Sequence, residues 1–247
     1  MTEVWFSLTV VLASFIQSFV GFGLGIVMIS LMPFYMPDVT SSVSISNISS
    51  IFLSGQNALI HYRKQLSIRR ILPILLPYFV SNTLTIVFLK DLKSDVFTVI
   101  LGAFLVLYAI ASLTGIFNFR MKRSVKNSII AGSLSGILGG LFGTGGPPIS
   151  IYLLQSSDDV STYHADIQLY FALANLYSVA VRLINGQITA QVGFFALIAL
   201  PATVVGALLG KWLLKKIDGK ALKTYLYIFL IINGIVLIIN TIRKWIV

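Results

Sequence analysis

The feature that most constrains this sequence is a series of uninterrupted apolar runs, most of them about 15 to 20 residues long. A helix needs about 20 apolar residues to cross the hydrocarbon core of a bilayer. Transmembrane β-strands alternate apolar and polar residues, so the runs argue against a membrane barrel. Only 11% of the residues are charged, whereas soluble domains average about 25%. The sequence therefore predicts an all-α polytopic protein of the cell (inner) membrane.

Charged and turn residues divide the apolar sequence into eight segments. We expect these segments at 3–36, 40–61, 70–89, 96–117, 127–155, 163–184, 188–214 and 221–242. The first is interrupted by a glycine-rich stretch at residues 21–25, and the fifth by a similar stretch at 143–148. The longest apolar segments are therefore broken near their middle, and these two breaks carry most of the functional interpretation.

The chain also contains a weak internal repeat. A shift of 122 positions places Gly21-Phe22-Gly23 on Gly143-Thr144-Gly145. Each half then reads as a broken segment, a helix with scattered polar residues, a proline-containing helix and a plain helix. Duplicated halves of this kind are typical of secondary transporters. We expect two four-segment repeats, the first over residues 1–122 and the second over residues 123–247.

Two topologies are open for the broken segments, and they distribute the Lys and Arg residues differently. If each broken segment crosses the membrane once, the 18 basic residues divide 11 to 7 between the two sides. If each is a re-entrant hairpin, they divide 13 to 5. The positive-inside rule favours the hairpins, which would invert the two halves relative to each other and place both termini outside. The single crossing remains the alternative.

The breaks are also the first candidates for substrate binding. Unpaired backbone N–H and C=O groups cost several kcal/mol in hydrocarbon, so they persist where they face protein or a wet cavity. The half-helices that follow should start near Ile26 and Pro147, and a helix N-terminus favours an anion. The alternative is that the glycines only allow tight helix packing. The residues that we expect to contact substrate are Gly21, Phe22, Gly23, Gly143, Thr144, Gly145 and Gly146.

Polar stripes on the second and sixth segments supply the other candidates. Ser46, Ser50 and Asn57 share one face of the second segment. Gln168, Asn175 and Arg182 are spaced by seven on the sixth segment, near His164 and Ser178. These residues should line the bundle interior, where they contact either substrate or other helices. For Arg182, near the helix end, the alternative to anion contact is snorkelling to the headgroups.

Asp166, near the start of the sixth segment, has two interpretations. It is either a carboxylate that couples transport to a proton or a solvated residue at a helix end, and we favour the second. His61 and His164 also lie near segment ends, where an interfacial position is more common than a proton relay.

Other function classes lack support in the sequence. There is no nucleotide-binding P-loop, because residues 143–148 lack the Lys-Ser/Thr ending. The absence of cysteine and the presence of only two histidines give no basis for a metal or a cofactor. The net charge of +10 is explained by basic cytoplasmic loops rather than by nucleic-acid binding. We therefore expect a non-enzymatic protein whose partners are the lipid bilayer and a small solute.

At its two breaks the chain resembles the sulfite exporter TauE/SafE family, also called the 4-toluene sulfonate uptake permease family. The motifs are Gln17-Ser18-Phe19-Val20-Gly21-Phe22-Gly23-Leu24-Gly25 and Gly139-Gly140-Leu141-Phe142-Gly143-Thr144-Gly145-Gly146-Pro147-Pro148. Supporting motifs are His61-Tyr62-Arg63-Lys64 and Asn185-Gly186-Gln187-Ile188. The likeness extends over nearly the whole chain through the order of its eight segments.

The resemblance implies a transporter of small sulfur-containing anions such as sulfite, sulfoacetate or other organosulfonates. Members import or export, and we expect export. An inside-negative potential favours anion exit by about 2.3 kcal/mol per charge per 100 mV, so a sulfonate could leave by uniport, whereas uptake would need a coupled cation such as a proton. A transporter or channel for another small solute, or a non-transporting scaffold, stays open, as does a homodimer.

Overall fold

A computed structural model describes residues 2–32, 39–88, 94–114 and 122–246. These residues are almost entirely helical, and no strand occurs among them. The ten helices are α1 (Thr2–Val20), α2 (Leu24–Leu31), α3 (Val39–His61), α4 (Ile68–Phe88), α5 (Ser94–Leu113), α6 (Val125–Phe142), α7 (Gly146–Ser156), α8 (Val160–Ile184), α9 (Ala190–Leu214) and α10 (Gly219–Ile246).

The eight predicted segments correspond to these ten helices because each break divides its segment into two. The half-helices begin at Leu24 and Gly146, one or two residues before the predicted positions. The predicted segment parts at 33–36, 89 and 115–117 lie outside the described residues.

Helix length and hydropathy fit a multi-pass membrane protein. Within the described ranges, five helices are long and apolar enough to span a bilayer, namely α1, α4, α6, α8 and α9. The helices also expose large apolar side chains outward, among them Leu197, Leu208 and Trp212 on α9. Extensive exposed apolar surface is rare on soluble monomers, and it is the surface that lipid tails would cover.

Small residues determine how the helices pack in parallel pairs. On α4 and α6, Gly132 lies against Ile74 and Gly140 against Thr85, so both helices run in the same direction. Glycine at such contacts allows close backbone approach, as is common between membrane helices. The pair α1 and α9 is built the same way. There Phe6 contacts Phe195 and Gly210 lies against the backbone of Phe15.

Polar contacts show that α3 and α8 run antiparallel through the centre of the bundle. The Asn47 amide donates to the Ser178 hydroxyl (3.0 Å), and the Asn175 amide donates to the Ser50 hydroxyl (2.9 Å). Most of the serines that fill α3 are buried. Ser44, for example, donates to the carbonyl of Thr40 one turn earlier. The polar faces of α3 and α8 therefore meet each other rather than lipid.

Three contacts along α6 and α7 show that these two helices form an antiparallel hairpin. Ser135 donates to the Gly145 carbonyl (2.5 Å), the Ser128 and Tyr152 hydroxyls lie 3.0 Å apart, and Arg123 donates to the Ser156 carbonyl (3.1 Å). The residue numbers rise along one helix as they fall along the other. The start of α6 and the end of α7 therefore lie at the same end of the molecule.

The same end of the molecule also collects basic residues from several helices. Lys211, near the end of α9, lies over the Tyr62 ring at 5.6 Å, and Tyr62 stacks on His164 near the start of α8. We call the end of the molecule that holds Arg123, Ser156 and Lys211 the basic end.

These contacts also bear on the two topologies. Single crossings would place Lys211 and Tyr62 on opposite sides of the membrane, so these contacts agree with the hairpin alternative. The position of the bilayer, the re-entrant course of the broken segments and the division of the chain into two inverted repeats at residue 122 remain predictions.

Candidate functional site

Each break contains backbone conformations that glycine accommodates easily. In the first break, Gly21 and Gly23 have φ angles of 102° and 119°. In the second, Gly143 has a φ of 62° and ends α6. These angles lie in the left-handed region, where a side chain is strained and glycine is not. The glycine-rich stretches therefore interrupt the helices for a conformational reason.

The two breaks contact each other in the interior. A Cβ atom added to Gly25 would overlap the carbonyl oxygen of Gly143. A Cβ atom added to Gly146 would lie 2.8 Å from a ring carbon of Phe22. Residues far apart in sequence, one break from each half of the chain, thus form a single crossing point that leaves no room for side chains.

A small cavity of about 20 Å³ lies at this crossing point and has room for about one water molecule. It is lined by both breaks and by α1, α3, α4, α6 and α8. Of the predicted site residues, the structure brings nine to its wall: Phe22, Gly23, Ser46, Ser50, Gly143, Thr144, Gly145, Gly146 and Asn175. The wall also contains polar and aromatic residues that were not predicted to contact substrate, among them Gln17, Asn47, Tyr78, Ser135 and Tyr170.

The first break presents backbone donors at the cavity. The first intrahelical bond of α2 runs from the Val27 N–H to the Gly23 carbonyl (3.0 Å). The N–H groups of Leu24, Gly25 and Ile26 precede it and have no partner within the helix. Gly23 lacks a side chain that could cap them. The start of α2 can therefore donate hydrogen bonds to a bound anion.

Neutral side chains supply the remaining polar wall of the cavity. The Gln17 amide donates to the hydroxyls of Ser50 (3.3 Å) and Ser54 (2.8 Å), and Ser50 also accepts from Asn175. Thr144 differs from these residues. Its side chain is only 2% exposed, and its hydroxyl has no hydrogen-bond partner among the described residues. A buried hydroxyl without a partner costs free energy, so Thr144 indicates a place for a ligand atom or water.

Four predicted site residues lie outside the cavity wall. Gly21 and Gln168 contact each other behind the first break, where the Gln168 amide donates to the Gly21 carbonyl (3.4 Å). Asn57 donates to the Ser18 hydroxyl (3.4 Å), closer to the basic end. The fourth residue is Arg182.

Arg182 neither lines the cavity nor extends to the surface. It is 4% exposed, and its guanidinium donates to the carbonyl of Gly140 (2.6 Å) and to the side chain of Gln187 (2.7 Å). Gly140 lies in the last turn of α6, where carbonyls lack intrahelical partners and carry partial negative charge. Arg182 therefore caps α6 directly before the second break.

The interpretation of Asp166 as a solvated helix-end residue is wrong. Its side chain is 0% exposed and forms ion pairs with Arg70 (2.7 Å) and Arg123 (2.8 Å). Arg70 lies in the first turn of α4 and Arg123 precedes α6, so one carboxylate joins three elements at the basic end. An isolated buried carboxylate would be costly, and the two arginines remove that cost.

The family whose sequence model matches is described as "Sulfite exporter TauE/SafE", and the match covers residues 6–237. A curated protein of Cupriavidus necator, named "Probable sulfite/organosulfonate exporter TauE", is 23% identical over 205 residues. That alignment covers 80% of this chain and 78% of the relative. No solved structure gives a significant match.

Proposed function

Since the chain belongs to the sulfite exporter TauE/SafE family, we propose that it is a secondary transporter that exports sulfite or a small organosulfonate. The anion would bind in the cavity between the two breaks. The observation that carries this proposal is the convergence of both breaks, with the free N–H groups of α2 and the unpartnered Thr144 hydroxyl, on one enclosed cavity.

The proposed binding groups act in two ways. Backbone donors of the first break and the hydroxyls of Ser46, Ser50 and Thr144 would replace the water that the anion loses on entry. The remaining predicted residues would act indirectly, because Gln168 and Arg182 hold the backbone ends next to the cavity. We retain Gly21 and Asn57 as supporting residues rather than direct ligands.

Alternating access fits the arrangement of the helices. The parallel pairs α1–α9 and α4–α6 each combine a helix from one half of the chain with a helix from the other. The cavity has room for about one water molecule, so it would have to widen to load sulfite. The basic end would face the cytoplasm of the inner membrane under the positive-inside rule, and loading would start there.

Flux measurements test the proposal. The purified full-length protein in liposomes should move radiolabelled sulfite or methanesulfonate outward faster when the interior is negative, without an imposed proton or sodium gradient. Flux that requires such a gradient would indicate a coupled mechanism and would exclude uniport. Flux of an unrelated solute alone would support the alternative transporter.

A matched variant separates transport from a scaffolding role. A Cβ atom at Gly145 would lie 2.6 Å from the carbonyl oxygen of Ser135, so Gly145→Leu should distort the second break and stop flux. A scaffold would not depend on substrate access to the backbone of the second break. If the folded Gly145→Leu protein and the wild type both fail to move any of these anions, the proposed function is wrong.

A further inference from the structure

We infer that the central cavity selects anions with one negative charge and rejects dianions of the same shape. This inference rests on the proposed function and adds a property of the substrate that family membership does not supply. Among sulfur-containing anions, hydrogensulfite and simple alkyl sulfonates carry a single charge. Sulfoacetate and the fully ionised sulfite carry two.

The charges around the cavity are the first ground for the inference. Among the described residues, no Lys, Arg, His, Asp or Glu lines its wall. Four helix ends meet there: the N-termini of α2 and α7, with about half a positive charge each, and the C-termini of α1 and α6, with about half a negative charge each. These partial charges nearly cancel, so the helix ends alone do not balance an anion.

Arg182 supplies the positive charge that the helix ends do not provide. Its guanidinium binds the carbonyl of Gly140, which is next in sequence to the wall residue Gly139. Both of its hydrogen-bond acceptors are neutral, and no carboxylate pairs with it within the described part of the chain. The immediate surroundings of the cavity therefore carry a net charge of about +1, which one negative charge on the ligand would balance.

Arg70 and Arg123 both pair with the buried Asp166 at the basic end. Lys211 lies over the Tyr62 ring at that end and is not part of the cavity wall. A second negative charge in the cavity would consequently have no cationic partner among the described wall residues. Because the cost of burying an ion grows steeply with its charge, an unpaired second charge should prevent binding.

Thr144 is the independent sign that a ligand atom belongs in this cavity. Thr144 is a residue of the wall, and its hydroxyl is buried and lacks a partner among the described residues. The other wall groups, such as Gln17 and Asn175, bond to neighbouring side chains. Neutral donors of this kind can bind a single-charged oxyanion, but they add no further positive charge.

The test compares two ligands of matched shape on the full-length protein in detergent. Methanesulfonate and methylphosphonate are both tetrahedral and carry one methyl group. Methanesulfonate keeps one charge throughout, whereas methylphosphonate gains a second charge when the solution becomes alkaline. Calorimetric titration should show that methanesulfonate affinity stays constant while methylphosphonate affinity falls at least tenfold. Methanesulfonate also controls for any effect of pH on the protein itself.

The outcomes distinguish the inference from the function on which it rests. Dianionic methylphosphonate that binds as tightly as methanesulfonate would overturn the charge selectivity and leave the transporter in place. If neither ligand nor sulfite binds at any pH, the proposed function fails and the selectivity fails with it.

Variants at three positions locate the selectivity in the structure. Arg182→Gln should weaken methanesulfonate binding at least tenfold, whereas Arg182→Lys should keep most of it. Asn175→Lys adds a cation to the wall and should raise methylphosphonate dianion affinity relative to methanesulfonate, so this readout remains if Arg182→Gln does not fold. Thr144→Val should weaken the binding of methanesulfonate and of singly charged methylphosphonate severalfold, and Thr144→Ser should restore it. An unchanged ligand preference in both charge variants would overturn the inference.

Discussion

The two breaks solve the same geometric problem with different residues. The first contains two left-handed glycines, Gly21 and Gly23, and leaves the N–H groups at the start of α2 available. The second contains one left-handed glycine, Gly143, and places Pro147 and Pro148 in the first turn of α7. Proline fits that turn but has no N–H. The first break therefore offers backbone donors, and the second offers a rigid wall with the Thr144 hydroxyl.

The helix ends behind the two breaks differ in charge. Neutral groups bind the carbonyls at the end of α1, where Tyr163 donates to Val20 (3.2 Å) and Gln168 to Gly21 (3.4 Å). At the end of α6, the charged guanidinium of Arg182 donates to the Gly140 carbonyl instead. The two halves of the chain therefore contribute different groups to the site. Donors come from one half of the chain and positive charge from the other.

The strongest way to break this arrangement is to separate the two breaks where they touch. A side chain at Gly25 cannot fit against the Gly143 carbonyl, so Gly25→Val should reduce anion flux at least tenfold. Overpacking of this kind costs about 1–3 kcal/mol in stability. Flux into liposomes and thermal unfolding in detergent measure the two effects.

The matched control is Gly55→Val on α3. A Cβ atom at Gly55 would meet no atom within 4 Å, so flux should stay near the wild-type rate. Full flux in Gly25→Val would contradict the contact between the breaks.

The contacts at the C-terminal ends of α2 and α7 can also be compared, and removing them should have smaller effects on stability. Arg123 binds the end of α7 through the Ser156 carbonyl and pairs with Asp166. The end of α2 has a neutral contact, from the Asn240 amide to the Ser30 carbonyl (3.4 Å). We expect Arg123→Gln to lower stability by about 1–2 kcal/mol, the scale of the hydrogen bonds that are lost, since Asp166 keeps Arg70 and Arg123 is partly exposed to solvent. Asn240→Ala should cost about 0.5–1 kcal/mol.

Thermal unfolding at low and high salt checks this order. Added salt should shrink the difference between wild type and Arg123→Gln, because partly exposed ion pairs are screened. It should not change the effect of Asn240→Ala. A larger loss from Asn240→Ala would show that the charged contact at the basic end does not hold α7.

The smallest expected effect comes from returning a donor to the second break. Pro148→Ala restores an N–H in the first turn of α7 and should strengthen methanesulfonate binding by up to about 1 kcal/mol. The loss of proline should lower stability by about 0.4–1 kcal/mol through the unfolded chain. Calorimetry and thermal unfolding record both changes. Weaker binding would show that the second break contacts the anion differently from this account.

The sequence allowed the helices and the breaks to be predicted because both depend on local properties. Apolar length defines a membrane helix, and clustered glycines such as Gly21 and Gly23 mark where it stops. The count of basic residues also favoured the hairpin, with which the contacts of Arg123 and Lys211 agree. These inferences needed no knowledge of which helices touch.

The wall of the cavity could be predicted only in part, because it depends on contacts between distant residues. Tyr78 and Ser135 come from α4 and α6, and neither side chain by itself marks its helix face as part of a cavity. Gln17 lies one helical turn before Gly21 and is a polar residue in an apolar run, and these two properties were available signals. The partners of Asp166 are 96 and 43 residues away in the chain, and no periodicity connects them.

The contact between the breaks can be tested by a disulfide in a chain that has no cysteine of its own. A Cβ atom at Gly146 would lie 3.3 Å from the Cβ of Phe22, close to the spacing of about 3.5–4.5 Å in disulfides. Mild oxidation of the Phe22→Cys/Gly146→Cys double variant should join peptides that contain positions 22 and 146, and should stop sulfite flux until a reductant is added. Two cysteines that stay unlinked, or a disulfide that leaves flux unchanged, would contradict the central claim.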